Sequence, residues 1–197
     1  MELRPIPAAD WADWYENELC TTFPDCECKP LADILSLADT GRYEVLGLYD
    51  GPDLLGYAAL WSAPDWPGCV LLDYLGGTAA RRSGGLGGRL LELLSARLAG
   101  QAVLIIEAET ADSGGPEEER PIRLRRLDFY RRHGCTPVYR SFNCGLVCQV
   151  FVLGPAPEDL EPVKAAHRAI YGPGRPDTVI DPAPAPCPPP PKGRNLV

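Results

Sequence analysis

The chain has 197 residues, 45% of them hydrophobic and 23% charged, enough for one domain with a substantial core and too few for two comfortable ones. Its net charge of −8 argues against a nucleic-acid partner, whose phosphates call for a basic face, and suits a small neutral or cationic substrate. No apolar run approaches the roughly 18–20 residues that span a bilayer, and Met1–Trp11 lacks the basic and apolar regions of a signal peptide. No membrane partner and a cytoplasmic location are therefore expected, with the eight cysteines held mostly as reduced thiols. Cys26 and Cys28 give C-x-C, and Cys144 and Cys148 give C-x3-C, with histidines at 133 and 167 alone. That spacing does not make a structural zinc set, so no metal is expected.

In chain order, residues 1–5 read as a short edge strand. Asp10 reads as an N-cap before a helix that places Trp11, Trp14, Tyr15 and Leu19 on one face. A second helix runs from Pro30, a residue suited to a first helical position, to about Ala38. Tyr43–Tyr49 and Leu54–Trp61, joined by the turn Asp50-Gly51-Pro52-Asp53, read as an antiparallel hairpin. A third strand spans Cys69 to about Gly77, and its apolar run Val70-Leu71-Leu72 marks it as central. Leu86, Leu90, Leu93, Leu94 and Leu98 stripe the next helix, which Gly100 stops.

Val103–Glu109 is a buried strand, and 112–119 an acidic loop. A helix over Ile122–His133 turns Leu124, Leu127, Phe129 and Tyr130 to the core. Two strands, Val138–Phe142 and Leu146–Leu153, and a helix over Leu160–Tyr171 complete the pattern. The order predicts an α/β (α+β) fold, a mixed and largely antiparallel twisted sheet of six to seven strands flanked by helices. Residues 1–171 make the domain. From Gly172 the proline-rich composition predicts an extended, solvated tail over 172–197.

The chemistry concentrates where a strand gives way to Arg81-Arg82-Ser83-Gly84-Gly85-Leu86-Gly87-Gly88 and then to a helix. Glycines let successive N–H groups point into one cavity, and the helix start adds partial positive charge, a setting for phosphate. A P-loop would need Gly-Lys-Ser/Thr, and a dinucleotide fingerprint would need G-x-G-x-x-G early in the chain. Neither is present.

The run Leu75 to Leu91, with R-x-x-G-x-G starting at Arg82, resembles the acetyl-CoA signature of the GNAT superfamily of N-acetyltransferases. Phe129-Tyr130-Arg131-Arg132-His133-Gly134-Cys135 resembles that superfamily's FYxxxGF segment, with cysteine where an aromatic is usual. The likeness covers about residues 43–153, and the stretch Phe23-Pro24 to Pro30 is similar to a subset of bacterial members. The resemblance implies a GNAT-like acyl-CoA N-acyltransferase fold and transfer of an acetyl group from acetyl-CoA, as cosubstrate, to a primary amine by direct attack. It implies that backbone amides of Ser83, Gly84, Gly85, Leu86, Gly87 and Gly88, with Arg81 and Arg82, hold the pyrophosphate. Leu75, Gly76 and Gly77 would pair their backbone with the pantetheine arm and stabilise the oxyanion. Tyr130 matches the tyrosine that protonates the leaving thiolate.

Asp73, Glu107 and Glu109 are carboxylates within apolar strands and stand as candidate bases. Alternation places Asp73 on the face of Leu75, and Glu107 with Glu109. Pairing with an arginine of the Arg120–Arg132 cluster is the other reading of these acids. His133 is expected at the helix end facing solvent. A small-molecule or peptide amine is the expected acceptor, and a homodimer is open to the chain. A non-catalytic CoA-binding or protein-interaction module on the same fold, or transfer of a longer acyl group, is the alternative function.

Overall fold

The computed structural model describes residues 1–25, 27–79, 85–113, 116–143, 145–175 and 177–182. The strands are β1 (Glu2–Pro5), β2 (Tyr43–Asp50), β3 (Asp53–Ser62), β4 (Cys69–Gly77), β5 (Val103–Glu109), β6 (Cys135–Asn143), β7 (Leu146–Leu153) and β8 (Val179–Ile180). They form one sheet in the order β1-β2-β3-β4-β5-β7-β6-β8. Every neighbouring pair is antiparallel except β4 and β5.

The helices cover both faces because the inner strands are apolar on both sides. Four helical segments, α1 (Trp11–Trp14), α2 (Cys20–Thr22), α3 (Leu31–Asp39) and α6 (Glu161–Tyr171), cover one face. They enclose Trp14, Ile34, Tyr57, Leu71, Ile105 and Ile170. On the other face α4 (Leu86–Leu98) and α5 (Arg120–Arg132) bury Leu48, Leu72, Leu90, Leu94, Leu127 and Phe151. Leu124, expected in the core, is 46% exposed, because Arg123 takes the inward position one residue earlier. Pro30 is the cap of α3 rather than its first residue, and Asp10 makes no side-chain cap bond.

Between α1 and α2 the chain makes a π-helical turn, Tyr15–Leu19. It brings Glu18 against the end of β4. The Glu18 carbonyl accepts the Tyr57 hydroxyl at 3.2 Å, and its carboxylate accepts the Ala79 N–H at 3.0 Å. The eighth strand comes from the segment expected as a free tail. Val179 and Ile180 pair with Phe142 and Ser141, Ile180 is buried, and Lys164 holds Asp181 at 2.7 Å. The buried isoleucine and the ion pair act with bonds from Arg175 and Thr178 to Asn143 Oδ1 and from the Asp181 N–H to the Arg140 carbonyl, a signal that the surrounding proline-rich composition hides. Residues 183–197 lie outside the described residues.

One irregularity positions the site. Ala59 pairs with Tyr74 and Leu60 with Leu72, so Asp73 has no partner on β3. It is the extra residue of a β-bulge. The parallel ladder of β4 and β5 ends at the same place, with Leu72 opposite Ile106. Beyond it β4 continues along β3 and β5 along β7. The two strands part, and a notch opens at the centre of the sheet.

Candidate active site

The notch leads into a cavity of about 540 Å³ lined by Thr22, Leu75, Gly76, Gly77, Phe129, His133 and the start of α4. Gly85 caps that helix at φ +78, a left-handed conformation that favours glycine. The first helical bond after it runs from Arg89 N–H to the Gly85 carbonyl at 3.1 Å. The N–H groups of Leu86, Gly87 and Gly88 thus have no intrahelical acceptor, as in the first turn of any helix. Arg81, Arg82, Ser83 and Gly84, the remainder of the sequence motif, lie outside the described residues.

Strand β4 contributes its backbone. Thr78 N–H bonds the Leu55 carbonyl at 3.0 Å, so alternation turns Gly76 toward β3 as well and leaves Leu75 and Gly77 with backbone groups facing the notch. Gly76 therefore does not offer its backbone to the notch, contrary to the expectation that all three do. Its role is steric. A Cβ there would sit 2.7 Å from both Cζ and the hydroxyl oxygen of Tyr57, a residue fully buried and packed edge-on to Trp14 at 5.6 Å.

Gly88 is also set by a neighbour, since a Cβ would lie 2.3 Å from His133 Nε2. His133 does not face solvent as expected. Its Nδ1 pairs with the Phe129 carbonyl at 2.8 Å, its ring stacks on Phe129 at 4.4 Å, and it lines the cavity. Tyr130 is buried beside Phe129 and Phe151. Burial pushes its hydroxyl up to about 12 despite the opposing charge of Arg126, so it stays protonated at neutral pH.

On the opposite face, above the point where the strands part, lies a polar cluster. The bulge turns Asp73 away from the side of Leu75 and toward α3 and α6, which corrects the simple alternation. Lys29 Nζ lies 3.2 Å from its Oδ2 and 3.3 Å from its Oδ1, and the Tyr43 hydroxyl donates to Oδ2 at 2.5 Å. Burial first, and the Asp73 charge second, hold Tyr43 well above the ordinary tyrosine value. Glu107, the first residue of β5 beyond the ladder, accepts from Ser141, from Tyr171 at 2.5 Å and from Asn143 at 3.4 Å. Tyr171 is raised by burial first, and then by the charge and hydrogen bond of Glu107.

His167 is fully buried, with Nδ1 3.1 Å from the Tyr139 hydroxyl and Nε2 3.5 Å from Glu107. Burial lowers its proton affinity. Glu109 has a different partner: Arg123 of α5, 3% exposed, at 3.7 Å. An arginine of the basic cluster does pair with a strand-end carboxylate, then, but with this one alone of the three.

Of the candidates, the structure brings Leu75, Gly77, Gly85, Leu86, Gly87 and Gly88 around one cavity. Asp73 and Glu107 stand together on the other face of the sheet, and Glu109 is drawn to α5. Sequence reasoning missed Thr22, whose hydroxyl is buried at the cavity without a partner among the described residues. It also missed Lys29, Ser141 and Tyr171. No spacing rule links these residues, which meet only through the sheet.

The fold is that of the GNAT acetyltransferases. A protein assigned to the GNAT acetyltransferase family from Bacteroides thetaiotaomicron superposes with a TM-score of 0.69 at 23% identity, covering 87% of this chain and 98% of that one. An aminoglycoside 6′-N-acetyltransferase solved with coenzyme A gives 0.59 at 16% identity, covering 80% and 100%. A spermidine N-acetyltransferase variant from Vibrio cholerae gives 0.57 at 8% identity, covering 77% and 91%. No family model and no curated protein matches the sequence.

Proposed function

We propose that the chain transfers an acetyl group from acetyl-CoA to a primary amine. The observation that carries this is the notch: two strands part opposite a glycine-capped helix start, and among the described residues backbone groups from both elements are left without a strand or helix partner around one cavity. Its residues fit the cosubstrate. The amides of Leu86, Gly87 and Gly88 are placed for a pyrophosphate, and Leu75 and Gly77 offer strand-like pairing to an amide-bearing arm. The Thr22 and Thr78 hydroxyls, without a partner among the described residues, are further polar groups at the cavity wall and the end of β4. By sequence, Arg81, Arg82, Ser83 and Gly84 complete the pyrophosphate cradle. The structural neighbour solved with coenzyme A supports the same ligand.

Bound acetyl-CoA supplies the activated acyl group as a thioester. The chain supplies the rest. The Leu75 and Gly77 N–H groups meet negative charge on a carbonyl oxygen held in the notch. Tyr130 holds a proton at neutral pH for a departing thiol. Asp73 and Glu107, one on each side of the opening, take the proton that a primary ammonium sheds; Glu109, ion-paired to Arg123, is the remaining candidate. Two structural neighbours, an aminoglycoside acetyltransferase and a spermidine acetyltransferase, support a small cationic amine as acceptor.

Calorimetry with CoA tests the reading. Wild type binds, and Gly85→Pro, which cannot adopt the positive φ of the cap, loses at least about tenfold in affinity, a loss of ~1.4 kcal/mol. Thiol release from acetyl-CoA across an amine panel tests transfer itself. Absence of CoA binding by wild type, or equal binding by both proteins, sinks the proposal.

A further inference from the structure

The acceptor face holds an ammonium already. Lys29 Nζ is bonded to both oxygens of Asp73 and lies 4.3 Å over the Trp61 ring. The Lys29 and Asp73 side chains are only 16% and 13% exposed. Tyr43 donates to the same carboxylate from the other side, which keeps Asp73 oriented. A carboxylate with both oxygens turned to one cation, beneath an indole face, is a receptor for a primary alkylammonium. The chain displays its ligand class with its own side chain.

Three further observations set this cage apart from an ordinary buried ion pair. First, Asp73 is the bulge residue immediately past the last rung of the parallel ladder, so the cage adjoins the point where β4 and β5 part. Second, Lys29 comes from the irregular stretch between α2 and α3 rather than from a strand or helix. Its own backbone is held by one side chain: its N–H donates to the Tyr74 hydroxyl at 2.7 Å, which in turn donates to the Glu27 carbonyl at 2.9 Å. Third, Trp61 is 5% exposed, yet its indole N–H has no acceptor among the described residues.

We infer that Lys29 is a displaceable plug, and that the acceptor of the proposed transfer is an unbranched primary alkylammonium whose nitrogen takes the place of Lys29 Nζ between Asp73 and Trp61. This rests on the acetyl-transfer reading for its chemistry, but the cage itself does not. Asp73 and Glu107 on the same face disfavour acceptors that carry a carboxylate beside the amine. A tertiary ammonium has a single N–H and a quaternary one has none, too few for the two Asp73 oxygens that Lys29 satisfies.

The test uses the full chain and n-butylammonium, the Lys side chain cut free. In Lys29→Ala, butylammonium raises Tm in a saturable way, while n-butanol and tetramethylammonium do not. Wild type, with its cage filled about nine-tenths of the time, shows the shift only at about tenfold higher butylammonium, and Lys29→Ala/Asp73→Asn loses it. If Lys29→Ala does not fold alone, its recovery on refolding in butylammonium is the readout. A second arm measures acceptor KM. Lys29→Met keeps the stem without the charge; if the plug vacates the cage only about a tenth of the time, its removal lowers KM for primary alkylamines about tenfold.

Equal shifts in wild type and variant, equal effects of butanol, or no recovery on refolding would overturn the cage. An unchanged KM in Lys29→Met would overturn the plug. Binding of butylammonium without thiol release from acetyl-CoA in any protein would leave the cage standing and remove the transfer reading instead.

Discussion

Gly76→Ala is the sharpest test of how the notch is built. A methyl at this position lies 2.7 Å from the Tyr57 ring and hydroxyl, well inside van der Waals contact. Tyr57 has little freedom to retreat, being fully buried, edge-on to Trp14 and bonded to the Glu18 carbonyl. Overpacking of this kind costs about 1–3 kcal/mol. Replacing a strand glycine returns roughly 0.5–1 kcal/mol of chain entropy. The net is a loss of roughly 0–2.5 kcal/mol, centred near 1, or about 2–4 °C in Tm at the centre for a chain of this size.

Urea denaturation of Gly76→Ala, Tyr57→Leu and the double variant isolates the contact. Tyr57→Leu removes Cζ and the hydroxyl, so the added methyl no longer clashes and partly fills the space left behind. The double-mutant coupling should therefore be favourable by at least about 1 kcal/mol. CoA affinity should hold for Gly76→Ala, because this residue's backbone faces β3. Strict additivity would refute the steric account of this glycine.

The other expectations are these. Tyr130→Phe lowers kcat at least about tenfold, within the range for a lost general acid, while CoA affinity by calorimetry stays near wild type; unchanged turnover would make Tyr130 a packing residue. Tyr171→Phe removes one donor from the buried Glu107 carboxylate and costs about 1.5–3 kcal/mol, read as a lower urea midpoint. His167 binds its proton less readily in the folded chain than at the ordinary value of 6.5, so below that pH the unfolded chain takes up a proton that the folded chain refuses. Its contribution to stability is complete above pH 6.5 and falls as pH drops toward the depressed folded value, with a slope approaching about 1.4 kcal/mol per unit. His167→Gln should flatten the stability curve between pH 6.5 and 5 relative to wild type, and parallel curves would refute this.

Local pattern carried most of the framework. The leucine stripe of α4, the unbroken Val70-Leu71-Leu72 run of β4 and the glycines between them are signals within one or two turns of chain, and each element formed where its pattern lies. The finer geometry depends on partners far away in sequence. The bulge at Asp73 arises from register against β3, and it puts Asp73 and Leu75 on opposite faces of the sheet. Gly76 reads as a residue without a side chain until Tyr57 is seen in its place, and His133 reads as a solvated helix end until Gly88 admits its ring. Lys29, Ser141 and Tyr171 reach the polar cluster from a loop, a strand and a helix far apart in sequence. Thr22 lies in a three-residue helical segment, where no periodicity can single it out. Val179–Ile180 was masked by its proline-rich surroundings.

The parting of β4 and β5 also has a mechanical consequence. The sheet consists of two antiparallel halves, β1 to β4 and β5 to β8, and only four residue pairs, Cys69–Leu72 with Val103–Ile106, stitch them together. Helix α6, anchored in the second half by β8, lies across onto β4 and reinforces this seam from one side. The other end is open. A ligand whose arm pairs with β4 in the opening extends the seam in the direction where the protein itself stops. Occupancy should then slow amide hydrogen exchange along the whole length of β4 and β5, including rungs that the ligand never touches.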